Sequence, residues 1–155
     1  MKILALEGDQ SGPVLLFAEE SLERSCAMSR EVIATPRAPA AVGPYSQAIA
    51  ANGFVFVSGQ LGLVPETKQF AGETVAAQTE QALQNLAAIL EAAGTDLAHV
   101  VKVTVYLADI ASFKEMNDVY SAFFRTQPPA RAAFAVRDLP LGALVEIEAI
   151  AVLPA

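Results

Sequence analysis

The strongest constraint on the fold is a hairpin signal at Asn52-Gly53. Residues 47–51 and 54–58 on either side have the composition of short strands, and Asn-Gly readily takes the positive φ angles of a two-residue hairpin turn. Such a turn sets both the antiparallel pairing and its register. Ser58-Gly59-Gln60 ends the second strand. A glycine there permits a bulge, or the close approach of backbone to a ligand.

Two helices are predicted further along the chain. Residues 74–93 place apolar side chains at a 3.6-residue period, Thr74 suits an N-cap, and Gly94 suits a left-handed residue after the last turn. The outward face is expected to hold Gln78, Gln81, Gln84 and Glu91. Ser112 with Glu115 forms a capping-box pattern that opens the second helix. Its inward side chains are expected to be Phe113, Met116, Tyr120, Phe123 and Phe124.

The remaining strands are predicted at residues 31–34, 100–107, 129–136 and 145–152. Alternation in residues 100–107 predicts one apolar face, made of Val101, Val103, Val105 and Leu107. The order of elements predicts an α+β domain with a single sheet and two helices on one face. The other face of the sheet would then need cover from another copy of the chain.

The strand at residues 129–136 carries a charge in apolar surroundings. Phe134 and Val136 are expected in the core, whereas the opposite face holds Arg131 beside the small residues Ala133 and Ala135. Small neighbours leave space next to a planar fork of donors, which suits a carboxylate ligand. The alternative is an ordinary solvated arginine, or one paired with an acid of the protein.

Two carboxylates, Glu146 and Glu148, lie two residues apart in the last strand and therefore share a face. This pair is unfavourable unless a cation or solvent accompanies it. If the strands are close, one glutamate can lie beside Arg131. The spacing leaves open that both face solvent, or pair with Lys102 or Arg137.

Composition excludes several classes of function. The 155 residues suit one domain, and 54% of them are hydrophobic, which argues against disorder. A net charge of −7 disfavours a nucleic-acid partner, and no apolar run reaches the roughly 20 residues of a membrane span. One cysteine, Cys26, and one histidine, His99, exclude cysteine-rich and multi-histidine metal sites. A reducing, cytoplasmic location is expected.

Five short motifs appear in order: GPYSQA at 43–48, VSGQ at 57–60, VKVTVYL at 101–107, PAR at 129–131 and EIEA at 146–149. Together they resemble the Rid family (RidA, also called YjgF), the reactive-intermediate deaminases, and five motifs in register form a specific signal. The resemblance covers about residues 31–154. It divides the chain into an N-terminal extension, residues 1–27, with a possible hairpin, and a RidA-like domain, residues 28–155. It implies a chorismate-mutase-like protomer and a homotrimeric barrel with clefts between subunits.

The resemblance also implies an activity, the hydrolysis of 2-imino acids of the 2-iminobutanoate and 2-iminopropanoate type to 2-keto acids and ammonia. No metal or cofactor is expected. By position in the motifs, Arg131 grips the substrate carboxylate, Tyr45 lies in the cleft, and Glu146 holds the attacking water.

Three further positions are placed at the site by the resemblance. Gly59 and Ala133 would present backbone groups to the ligand, and Asn117 would lie near it. Ala133 stands where many members have cysteine, so thiol chemistry is not expected. Two alternatives remain: a sensor that binds small carboxylates such as 2-ketobutyrate, and a role on protein or RNA, as a translation inhibitor or ribonuclease. The acidic charge disfavours RNA.

Overall fold

The computed structural model describes residues 30–154, which form a six-stranded sheet with two helices packed on one face. In chain order the elements are β1 (Arg30–Ile33), β2 (Ala48–Ala51), β3 (Phe54–Leu61), α1 (Val75–Ala92), β4 (Val100–Leu107), α2 (Phe113–Phe123), β5 (Ala130–Ala135) and β6 (Val145–Val152). The strand order is β1-β2-β3-β6-β4-β5, and only β4 and β5 pair in parallel. The predicted N-terminal extension and its hairpin lie outside the described residues.

The hairpin at Asn52-Gly53 is confirmed. Asn52 has a φ of 51° and Gly53 a φ of 79°, so both turn residues take the left-handed conformation that the turn requires. The pairing of β3 with β6 shifts register between Val57 and Gln60, which confirms the bulge predicted at Gly59.

Helix α1 begins and ends as predicted but buries one residue that was assigned to its outer face. The Thr74 side chain accepts a hydrogen bond from the Ala77 amide at 3.2 Å, and Gly94 after the helix has a φ of 82°. Gln78, expected outward, is 3% exposed. Its Oε1 accepts a hydrogen bond from the Leu144 amide at 2.8 Å, and its Nε2 donates to a backbone carbonyl. The amide is tolerated inside because backbone groups satisfy it.

The capping box predicted at the start of α2 is wrong. A 3₁₀ turn, Ile110–Ser112, precedes the helix, so Ser112 has helical φ and ψ and its side chain makes no capping bond. Asp109 caps that turn by accepting a hydrogen bond from the Ala111 amide at 2.9 Å. Glu115 instead accepts a hydrogen bond from the Ala76 amide in the first turn of α1, at 3.3 Å. The acid therefore joins the two helices.

The sheet face away from the helices, called the open face below, is not covered by any element of residues 30–154. Phe134 was predicted to be core but is 53% exposed there, because the register pairs it with Tyr106. Val136 follows the strand and is half-buried. Val101 is 42% exposed, because a register shift between Val100 and Lys102 breaks the predicted alternation of β4. Among residues 30–154, no helix is both long and apolar enough to cross a membrane.

Candidate active site

Arg131 lies on the helix-facing side of β5, half-buried beneath α2. Its Nη2 donates a hydrogen bond to Asn117 Oδ1 at 2.8 Å. The guanidinium carbon is 4.4 Å from the centre of the Tyr120 ring and 5.6 Å from that of Phe113. These contacts orient the cation without neutralising it. No carboxylate within residues 30–154 forms an ion pair with Arg131.

The local sequence explains this arrangement. Phe113, Asn117 and Tyr120 are spaced four and three residues apart on α2, so they lie along one side of the helix. Parallel pairing of β4 with β5 places Arg131 opposite Val103, on the side that α2 covers. Sequence analysis expected Asn117 near the site but assigned the two aromatic residues to the core alone. Their spacing with Asn117 was the available signal.

Ala133 lies two residues after Arg131 on the same face of β5, and it packs against the edge of the hydrophobic core. A small side chain here leaves the backbone of the edge strand accessible next to the guanidinium.

Glu146 lies on the open face of β6, half-buried and directly across from Tyr106 of β4. Gly59 leaves the space that its carboxylate occupies, since a methyl group at Gly59 would overlap it. Partial burial, and then the charge of Glu148, raise the pKa of Glu146. The Tyr106 hydroxyl donates a hydrogen bond to Glu148 Oε1 at 3.1 Å.

Arg131 and Glu146 lie on opposite faces of the sheet. Val103 pairs with Arg131 on one side and with Ala149 on the other, so these three residues share the helix-facing side. Glu146 is three residues from Ala149 in an alternating strand and therefore points the other way. The prediction that a glutamate lies beside Arg131 is wrong within one protomer, because β4 separates their strands and the pleat separates their side chains.

Tyr45 lies apart from both residues. It is 52% exposed, and its hydroxyl accepts a hydrogen bond from the Val42 amide at 3.2 Å. It lines a cleft of about 440 Å³ formed by residues 32–36, 40–41 and 45–47, and neither Arg131 nor Glu146 reaches that cleft. The described protomer thus holds the candidate residues in three separate places.

The other charged residues do not complete the site. Arg137 is exposed and pairs with its neighbour Asp138 at 3.3 Å, so the predicted alternative in which it pairs with a glutamate of β6 is wrong. Within residues 30–154, no three His, Cys, Asp or Glu side chains are placed to hold a metal ion.

Known proteins share this fold and sequence. The sequence profile of the family described as Endoribonuclease L-PSP matches residues 35–153. Reactive Intermediate Deaminase A, chloroplastic, of Arabidopsis thaliana is 52% identical over 88% of this chain and 73% of its own. The 2-iminobutanoate/2-iminopropanoate deaminase of Bos taurus is 52% identical over 79% of this chain and 90% of its own.

A solved structure gives the same result in three dimensions. Escherichia coli TdcF with bound serine superposes with a TM-score of 0.77 at 38% identity, covering 80% of this chain and 99% of that one. On the profile match, the sequence identity and the shared fold, the chain belongs to the Endoribonuclease L-PSP family, which is also called the YjgF/RidA family.

Proposed function

We propose that this protein hydrolyses reactive 2-imino acids, of the 2-iminobutanoate and 2-iminopropanoate type, to 2-keto acids and ammonia. The observation that carries the proposal is Arg131, a cation oriented by Asn117 and Tyr120 and not paired with any acid of residues 30–154. Relatives about 50% identical are named for this deaminase activity.

Arg131 would bind the substrate carboxylate. A guanidinium presents parallel N–H donors that match both carboxylate oxygens, and charged hydrogen bonds of this kind are among the strong ones. Asn117 accepts from one guanidinium nitrogen and leaves the others free for the ligand. The bound serine of TdcF is consistent with a carboxylate ligand, since every free amino acid carries one.

Glu146 would act as the general base on the attacking water. Water oxygen bonds to the carbon of the protonated imine, the C=N π electrons move to nitrogen, and Glu146 takes a proton from the water. Glu146 then gives that proton to the amine nitrogen of the carbinolamine. The C–N bond breaks as the carbinol oxygen forms C=O and releases its proton, so the products are a 2-keto acid and ammonium. Fixing the imine carbon near Glu146 supplies the orientation.

A second copy of the chain would bring Glu146 to Arg131. One protomer holds them on opposite faces of its sheet, so the β5 edge of one copy would meet the open face of the next. That face exposes Phe54, Phe56 and Phe134, an apolar surface of the kind that subunit interfaces cover. We therefore propose a homotrimer with Gly59, Tyr45 and Glu146 from one subunit facing Arg131, Ala133 and Asn117 of another.

The activity is tested by coupling threonine dehydratase to this protein, with semicarbazide as the trap for free imine. We expect faster release of keto acid with the wild type and no acceleration with Arg131→Ala. Arg137→Ala is the matched control, since it removes an exposed guanidinium from the end of the same strand. Absence of acceleration by the wild type, together with binding of 2-ketobutyrate, would instead favour the carboxylate sensor.

The shared site is tested by mixing two inactive variants, Arg131→Ala and Glu146→Gln, under conditions that exchange subunits. Random hybrids would rebuild about a quarter of the sites from one intact Arg131 and one intact Glu146. Each variant exchanged with itself is the control. A solution mass of three times the 16.3 kDa chain is expected, and a monomer that still turns over substrate would contradict the shared cleft.

Two further points complete the proposal. A cytoplasmic location follows from the reducing compartment that the lone cysteine favours, although one relative is chloroplastic. The family description also names an endoribonuclease, but a net charge of −7 opposes binding to a phosphate backbone. Incubation with single-stranded RNA serves as the comparison, and we expect no cleavage above the level seen with Arg131→Ala.

A further inference from the structure

Tyr106 and Glu148 form a hydrogen-bonded pair next to Glu146 on the open face. The Tyr106 hydroxyl donates to Glu148 Oε1 at 3.1 Å, and this bond runs diagonally across β4 and β6. The direct partner of Tyr106 across the ladder is Glu146 itself. The tyrosine ring therefore stands beside one carboxylate while its hydroxyl ties down the other.

The two carboxylates have different surroundings. Glu148 accepts the tyrosine hydrogen bond, whereas the Glu146 side chain has no hydrogen-bond partner among residues 30–154 and fills the space above Gly59. A hydrogen-bond donor favours the charged form of an acid, and a nearby like charge disfavours it. When two neighbouring acids differ in this way, one holds the negative charge and the other exchanges the proton.

We infer that Tyr106 and Glu148 are positioning residues for Glu146, and that their hydrogen bond keeps a fixed negative charge beside it so that Glu146 is the carboxylate that takes and returns the proton. The inference rests on the proposed deaminase function. It assigns a role to two residues that need not touch the substrate.

The other groups on this face are compatible with that role. On β4 the titratable side chains facing β6 are Tyr106 and Lys102, and Lys102 lies opposite Ile150, at the far end from Glu146. On β6 they are Glu146 and Glu148. Strand β3 presents Phe54, Phe56 and Gly59 to the same face, none of which titrates. Within residues 30–154, Glu148 is thus the nearest charge to Glu146 along the sheet, and it acts on Glu146 in the direction already described.

The test follows the Glu146 carboxyl carbon by NMR in the whole protein labelled with ¹³C-glutamate, with the signal assigned from Glu146→Gln. This readout does not depend on turnover. We expect Glu148→Gln to move the Glu146 titration midpoint to lower pH, because the like charge is gone. Tyr106→Phe should move it the same way by less, because the ring stays and the freed Glu148 carboxylate turns toward solvent. Glu80→Gln, which removes an exposed carboxylate from α1, is the matched control and should leave the midpoint unchanged.

Kinetics then connect the pair to catalysis. In both variants the acidic limb of the kcat/KM profile should move with the NMR midpoint, and kcat should fall while KM stays within twofold, since Arg131 and not Glu146 binds the carboxylate. An unchanged Glu146 midpoint in Glu148→Gln, or a rise in KM without a change of pH profile, would overturn the inference. If the midpoints move as expected but the wild type accelerates no imine hydrolysis, the pairing stands and the proposed function fails.

Discussion

The guanidinium of Arg131 lies over the face of Tyr120, 4.4 Å from the ring centre, while the hydroxyl of that ring has no hydrogen-bond partner among residues 30–154. Burial raises the pKa of Tyr120, and the positive charge of Arg131 opposes that effect. The ring thus supports the cation with its face, at the cost of burying a polar group. This separates two roles of one side chain that mutation can distinguish.

Tyr120→Phe should preserve the support and remove the cost. We expect the free energy of unfolding to stay the same or rise by up to about 1 kcal/mol, since an unsatisfied buried hydroxyl is lost, and KM to be unchanged. Tyr120→Leu should raise KM, because the cation–π contact, about 0.5–2 kcal/mol, is gone. Urea denaturation and steady-state kinetics measure both. Strong destabilisation by Tyr120→Phe would show that the hydroxyl finds a partner in another copy of the chain.

Asn117 should matter through its oxygen. Asn117→Ala removes one hydrogen bond to Arg131 and should raise KM by about three- to tenfold, with little change in kcat. Asn117→Asp places a carboxylate against the guanidinium, where it competes with the substrate, so it should raise KM further than alanine does. Binding of 2-ketobutyrate by calorimetry checks the order. Equal effects of alanine and aspartate would argue that Asn117 only packs.

Two glycines should respond differently to the same added methyl group. At Gly59 the methyl would displace the carboxylate of Glu146, so Gly59→Ala should lower kcat at least about tenfold while the protein stays folded. At Gly62 it would lie 2.5 Å from the backbone of Gln78, which α1 holds in place. Gly62→Ala should therefore lower the free energy of unfolding by about 1–3 kcal/mol. Thermal unfolding and turnover of each variant separate the two effects. A Gly59→Ala protein with normal kcat would remove Glu146 from the mechanism.

Glu146 should make stability depend on pH. Its pKa is raised in the folded protein, so between the ordinary carboxyl pKa and the raised one the folded state binds more protons than the unfolded state. Stability then falls as pH rises through that window. Glu146→Gln should be more stable than the wild type at pH 7, and the difference should vanish below the ordinary carboxyl pKa. Urea titrations at both pH values test this, with Glu80→Gln as control. A difference that grows on acidification would have the wrong sign.

Local sequence was sufficient to predict most elements of this fold. The turn at Asn52-Gly53, the bulge at Gly59 and the cap at Thr74 depend on the conformations of a few neighbouring residues, and each is confirmed. The errors arose where a partner distant in sequence decides. Glu115 bonds to α1 instead of its own helix, and Gln78 is buried because Leu144 reaches its amide.

The candidate site shows the same division. Sequence alone marked Arg131 as a cation among small side chains, and Glu146 with Glu148 as carboxylates on one face of a strand, because alternation along a strand is a local property. Which face each strand turns toward the helices is set by the pairing of β4 with both β5 and β6. Only the tertiary structure could place Arg131 under Tyr120 and Glu146 on the opposite side, since that depends on packing between segments far apart in the chain.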